Sequence, residues 1–155
     1  MYAYILALHS LLRWLILLFL LIAIVRHLSG MTRKTLVNNT DRRVDLILMT
    51  VAHITLLVGL YQWIRGPWGL KLIQNLGMKP VMENDTYRFF AIEHLTGMLI
   101  AIILITVGRG AVKRAVDWRA HKKAFWLFLI ALIIIIATVP WPFRHAVARP
   151  WFRGM

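Results

Sequence analysis

Hydrophobic residues fall into four long blocks separated by short basic segments, without the alternation or 3.6-residue striping of a water-soluble fold. The blocks cover residues 3–25, 44–64, 89–108 and 124–139. Each approaches the ~20 residues an α-helix needs to cross a bilayer. Helix is the expected state, because an isolated strand leaves its backbone groups unpaired in lipid. Pro140 and Pro142 end the fourth block, since proline cannot continue the hydrogen-bond ladder. The first block reads as a mature helix, not a signal peptide: it lacks a basic leader, its apolar stretch is too long, and no small-residue cleavage site follows. The expected fold is an all-α integral membrane bundle of four helices, up-down-up-down, forming one domain over residues 1–155. Residues 68–77 predict a short helix lying on the bilayer surface, and the Trp/Arg-rich tail 141–153 reads as a similar interfacial segment.

Composition agrees with this pattern. The 155 residues are 60% hydrophobic and 16% charged, against about 45–50% and about 25% in soluble domains. That excludes an ordinary soluble enzyme and a disordered tail. With 0 cysteines, disulfides, thiolate metal sites, iron–sulfur clusters and covalently attached c-type haem are excluded too. The formal charge of +13 sits in the connections, where it meets anionic lipid; no extramembrane module is available to carry nucleic-acid binding. Arg26, Arg33, Lys34, Arg42 and Arg43, with Arg109, Lys113, Arg114, Arg119, Lys122 and Lys123, load the first and third connections. The other side has only Arg65, Lys71, Lys79, Arg88, Arg144, Arg149 and Arg153. The positive-inside rule then places the first and third connections in the cytoplasm of a bacterial plasma membrane, with both termini outside. Tyr2, Tyr4, Tyr61, Trp63, Trp68, Tyr87, Trp141 and Trp151 gather at the outer interface, and Trp118 and Trp126 at the inner one.

Ionisable residues inside the blocks are few: His9, Arg13, His53, Glu93 and His94. Each costs about 2.5–3.5 kcal/mol near the membrane centre on insertion scales, so each needs a partner or a task. Asp45 and His121 fall at cytoplasmic ends, His27 and His145 at or beyond the interface, and the fourth block has no buried histidine. At about 1.5 Å per residue, His9 and His94 both lie roughly 9 Å below the outer ends of their helices, and His53 roughly 16 Å down. In an up-down bundle the first and third helices are diagonal neighbours, so His9 and His94 face one another at matched height. Two imidazoles so placed suit the iron of one haem. Structural hydrogen bonding and a proton or quinone site are the other uses of such a pair. Arg13 and Glu93 are candidates for a buried ion pair, and Arg13 for a haem carboxylate, though Arg88, Arg144 and Arg149 are nearer the interface where such carboxylates point. Gly59 and Gly97 allow close helix approach or room for a flat ring. Met49, Met98 and the run 133–136 read as packing or lipid-facing bulk.

The chain resembles small four-helix bacterial membrane proteins labelled cytochrome b-like. The resemblance rests on His9-Ser-Leu-Leu-Arg-Trp14, Glu93-His94, Gly108-Arg109 and Pro140-Trp-Pro-Phe-Arg144, and covers nearly the whole chain. It is also similar to four-helix bacterial dihaem b-type cytochromes, which place two histidines in the last helix. This chain has no such pair, so the resemblance implies one haem b at most, with His53 as the alternate ligand.

The expected function is therefore a b-type cytochrome-like electron carrier, with one haem between His9 and His94 and quinone as an exchange partner. Glu93 is expected to take the proton that accompanies quinol oxidation. The alternative is a non-catalytic membrane subunit whose His/Arg/Glu cluster locks the bundle or docks a partner. A homodimer or a larger membrane complex is compatible with either. A proton-coupled carrier ranks behind both, because no broken helices or paired repeats are visible.

Overall fold

The structure is a computed structural model describing residues 2–151. Phe152 and Arg153, part of the interfacial tail expected from the sequence, lie outside the described residues. The elements are α1 (Tyr2–Arg33), α2 (Asn39–Arg65), α3 (Leu70–Leu76), α4 (Met78–Glu83), α5 (Asp85–Arg88), a π-helical segment (Phe89–Glu93), α6 (His94–Lys113) and α7 (Arg119–Thr138). No strand occurs among the described residues. Four helical stretches are long and apolar enough to cross a membrane: Tyr2–Arg33, Asn39–Leu76, Asp85–Lys113 and Arg119–Thr138.

α1 packs against α2 and α7, and α6 against α2 and α7, so α1 and α6 sit on a diagonal. The buried stripe of α1 runs Leu12, Ile16, Leu20, Ala23, His27, Gly30, at the three- and four-residue steps of one helical face. Leu20, Leu48, Ala101, Ile105, Phe128 and Ala131 fill the centre with no exposure at all. The opposite faces are just as apolar. Leu11, Leu18, Val25, Ile103 and Ile133 are exposed on the outside of the bundle. A helix hydrophobic all round belongs in a large core or in lipid. Ile133 and Ile136 face outward while Ile135 is buried, so the isoleucine run serves both surfaces.

The helices outlast the apolar blocks. α1 runs on past residue 25 to Arg33 and stops where Lys34 adopts φ +53°. The Thr35 amide then closes the end on the Gly30 carbonyl at 3.1 Å. α2 starts five residues before its apolar block, on a reciprocal cap. Asn38 Oδ1 accepts from the Asp41 amide (3.0 Å), and the Asn38 amide donates to Asp41 Oδ2 (2.9 Å). These extra turns carry polar residues into the bundle. The segment expected to lie on the bilayer is helical over Leu70–Leu76 and is continued by two further short helices, α4 and α5. Trp141, expected at the interface, is 8% exposed and belongs to the core. Its indole meets those of Trp14 and Trp151, with ring centroids 6.2 Å and 5.8 Å away.

Candidate functional site

His9 and His94 come together across the diagonal of the bundle. Their ring centroids are 6.3 Å apart and their planes cross at 71°. Two imidazoles ligating one ion from opposite sides, each about 2.0–2.1 Å from it, would have centroids roughly 6 Å apart.

Local structure accounts for the position of each ring. His94 follows the π-helical segment, and its amide donates to the Phe89 carbonyl five residues back. A π turn holds one residue more than an α turn, so residues on its two sides differ in phase by about 100° from a continuous α-helix. The π segment leaves Glu93 on the exposed side, while His94 reaches α7. There His94 Nδ1–H donates to the Thr138 carbonyl at 2.7 Å. A neutral imidazole with its proton on Nδ1 carries a lone pair on Nε2. Metal-ligating histidines are held in this way, their second nitrogen bonded to a carbonyl or carboxylate. The approach of α6 to α7 that brings the carbonyl within reach depends on Gly97, where a Cβ would collide with the Thr138 side chain. On the other side His9 packs over Gly59, where a Cβ would lie 3.2 Å from His9 Cε1. His9 Nδ1 is buried without a hydrogen-bond partner.

Both rings line a cavity of about 210 Å³. Toward the bundle centre its walls are mainly apolar, including Met98, Ala101 and Ile105, with Thr55 bonding its hydroxyl to the Val51 carbonyl; toward the chain termini they include Tyr2, Gln62, Trp63 and Trp68. Two cations reach it, Arg13 and Arg149. Arg13 Nη2 donates to the Trp151 carbonyl (2.6 Å) and Ser10 Oγ (3.4 Å), with its guanidinium over the Trp14 and Trp141 rings. Arg149 lies over Phe90 and Trp68. Among the described residues no third His, Cys, Asp or Glu joins the histidine pair as a candidate ligand.

Other expected placements are corrected. Arg13 and Glu93 do not pair. Glu93 is exposed and bound to Arg88 Nε at 2.7 Å, away from the cavity lining. The intervening π segment and the nearer arginine account for that choice. His53 is not among the lining residues. Its Nδ1–H donates to the Met49 carbonyl at 2.9 Å, and its Nε2 stands 3.4 Å from Thr106 Oγ1, whose own proton goes to the Ile102 carbonyl. Of the three arginines expected near a haem carboxylate, only Arg149 lines the cavity; Arg88 holds Asp85 and Glu93, and Arg144 bonds backbone carbonyls.

A second polar cluster lies where α1, α2 and α7 meet at their other ends. His27, Asp45 and His121 are all buried there, although the sequence reading left them at helix ends or outside. The missed signal is spacing. His27 stands four residues after Ala23 and seven after Leu20, on the buried stripe of α1. Apolar blocks bounded by Arg26 concealed it.

Against known proteins, no protein-family model, no curated protein and no solved structure matches this chain.

Proposed function

We propose that the chain is a membrane electron carrier of the b-type cytochrome kind, an up-down-up-down four-helix bundle holding one haem b between His9 and His94. The observation that carries the reading is the His94 ring: Nδ1–H fixed on the Thr138 carbonyl, Nε2 left with a lone pair, and a second imidazole 6.3 Å away across the cavity. The donor set fits a haem of the bis-histidine kind, whose iron would be held by His9 and His94. Arg149 and Arg13, both on the cavity wall, are the cations that would face its carboxylates. Bound haem would supply one-electron chemistry, and the protein would set its burial, ligation and surrounding charge. Apolar walls reaching toward the bundle centre support quinone as the exchange partner. The basic connections on the α1/α2 and α6/α7 side support a bacterial plasma membrane with both termini outside.

The test is the visible spectrum of the detergent-purified protein before and after dithionite. A sharp Soret band that shifts on reduction, lost in His94→Ala and kept in His53→Ala, is the expected result. A colourless protein that takes up no added haem overturns the reading. One observation favours a non-catalytic membrane subunit instead: Arg13 Nη2 already donates to the chain's own Trp151 carbonyl, with its guanidinium over two indoles. A colourless protein destabilised by Arg13→Leu would support that second reading.

A further inference from the structure

The buried cluster between α1, α2 and α7 forms one connected line. His27 Nε2 lies 3.1 Å from both Asp45 oxygens. His27 Nδ1 meets His121 Nδ1 at 2.8 Å. His121 Nε2 points toward Asp41 Oδ2 at 4.0 Å, and Asp41 is held by Arg26 at 2.7 Å. His27 and Asp45 have no exposure, His121 has 1% and Asp41 3%.

Proton counting constrains this line. If Asp45 is ionised its oxygens only accept, so His27 Nε2 carries a proton toward them. Two ring nitrogens at 2.8 Å hold one proton between them, since two protons would collide and two lone pairs would repel. With only those two protons both rings are neutral, and two penalties follow. His121 Nε2 is then a buried lone pair without a partner, turned toward a carboxylate. The charges of Arg26, Asp41 and Asp45 then sum to one uncompensated buried negative charge. Burying such a charge is expensive in a low-dielectric interior. One more proton removes both penalties.

We infer that Asp45, His27, His121 and Asp41 form a buried proton-binding site, in which the four groups together hold one proton beyond two neutral imidazoles and two carboxylates. The ligand is a proton, not a metal ion: among the described residues no three of these groups converge on a common point. The groups facing the pair are Arg26 from α1, Asp41 and Asp45 from α2, and the Leu36 backbone from the α1–α2 connection. Gly30 makes the site possible, because a Cβ there would lie 2.5 Å from the His121 ring. The site stands eighteen residues along α1 from His9, about 27 Å at 1.5 Å per residue. It therefore lies at the basic end of the bundle, apart from the His9–His94 cavity, and it stands whether or not the chain holds haem.

Nitrogen-15 NMR of ring-labelled histidines in the detergent-solubilised protein tests this. In the folded protein the extra proton is expected either as a ring with both nitrogens protonated or, in infrared difference spectra, as a buried carboxylic acid C=O stretch that Asp45→Asn removes. His121→Gln assigns the signal. Asp45→Asn, which keeps the shape but removes one buried negative charge, is expected to convert it to neutral tautomers with the loss of one bound proton per chain. Two neutral tautomers with no carboxylic acid stretch that Asp45→Asn removes would overturn the inference. So would a doubly protonated ring that persists unchanged in Asp45→Asn. Should His121→Gln fail to fold, His27→Gln makes the assignment and Asp45→Asn still carries the test.

Discussion

Replacing Gly97 with alanine tests the contact on which the orientation of His94 depends. The added methyl would run into Cγ2 of Thr138, with Thr138 Cβ and Oγ1 each 2.9 Å away. Thr138 is the last residue of α7, and its carbonyl holds the His94 ring. Overpacking of this kind costs about 1–3 kcal/mol. Removing a helical glycine returns about 0.5–1 kcal/mol. The expected net effect is a loss of about 1 kcal/mol on those figures. Gly110 lies in the same helix with nothing within 4 Å of an added Cβ, so Gly110→Ala should gain about 0.5–1 kcal/mol. The difference between the two alanines isolates the collision. Thr138→Ser deletes the methyl that would be struck, so it should relieve Gly97→Ala in a double-mutant cycle, with a coupling of about 0.5–3 kcal/mol. Unfolding by SDS titration in mixed micelles, followed by tryptophan fluorescence, reads all four variants. A Gly97→Ala variant that gains stability as Gly110→Ala does, or strict additivity with Thr138→Ser, would refute the reasoning.

Phe128, wholly buried where α7 meets Gly108 of α6, should lose about 3–5 kcal/mol on replacement by alanine. A smaller loss in the same SDS titration would mean that lipid fills the space. Asn38→Ala removes the acceptor for the Asp41 amide and should cost about 0.5–2 kcal/mol, read as faster hydrogen exchange in the first turn of α2. Trp63→Phe deletes the 2.8 Å bond from the indole N–H to the Ala91 carbonyl inside the π segment. Its expected cost is about 0.5–1.5 kcal/mol, and unchanged hydrogen exchange over Phe89–Glu93 would count against that tie.

Four helices and the meeting of His9 with His94 were legible because hydropathy marks span length and equal depth follows from counting residues. The buried stripe within each helix was not legible, since Leu11 and Leu18 on the outside are as apolar as Leu12 and Leu20 inside. The π segment was hidden for another reason: Phe89–Glu93 carries no glycine or proline to announce a change of winding. The Arg13–Glu93 expectation therefore failed at the side-chain level. Counting could place both residues near one end of the bundle but could not show which way the extra residue of the π turn would aim Glu93. The His27–Asp45–His121 line was not legible because apolar blocks end at flanking cations such as Arg26 and Lys123, while α1 and α7 extend beyond them. Capping chemistry at Asn38 and Asp41 was the readable sign that α2 begins early.

The hold of Arg13 and Trp14 on the Trp151 carbonyl spans 138 and 137 residues of sequence. Translation at about 5–20 residues per second separates the two ends of that contact by roughly 7–28 s. During that interval the first helix is already made, and its arginine must take lipid phosphate or water in place of the Trp151 carbonyl. Arg149, two residues before Trp151 and on the cavity wall, is therefore among the last of the described residues to take its place. A molecule destined for the cavity meets a wall without Arg149 before that stage and one with it afterwards, which makes the order of synthesis itself a determinant of filling.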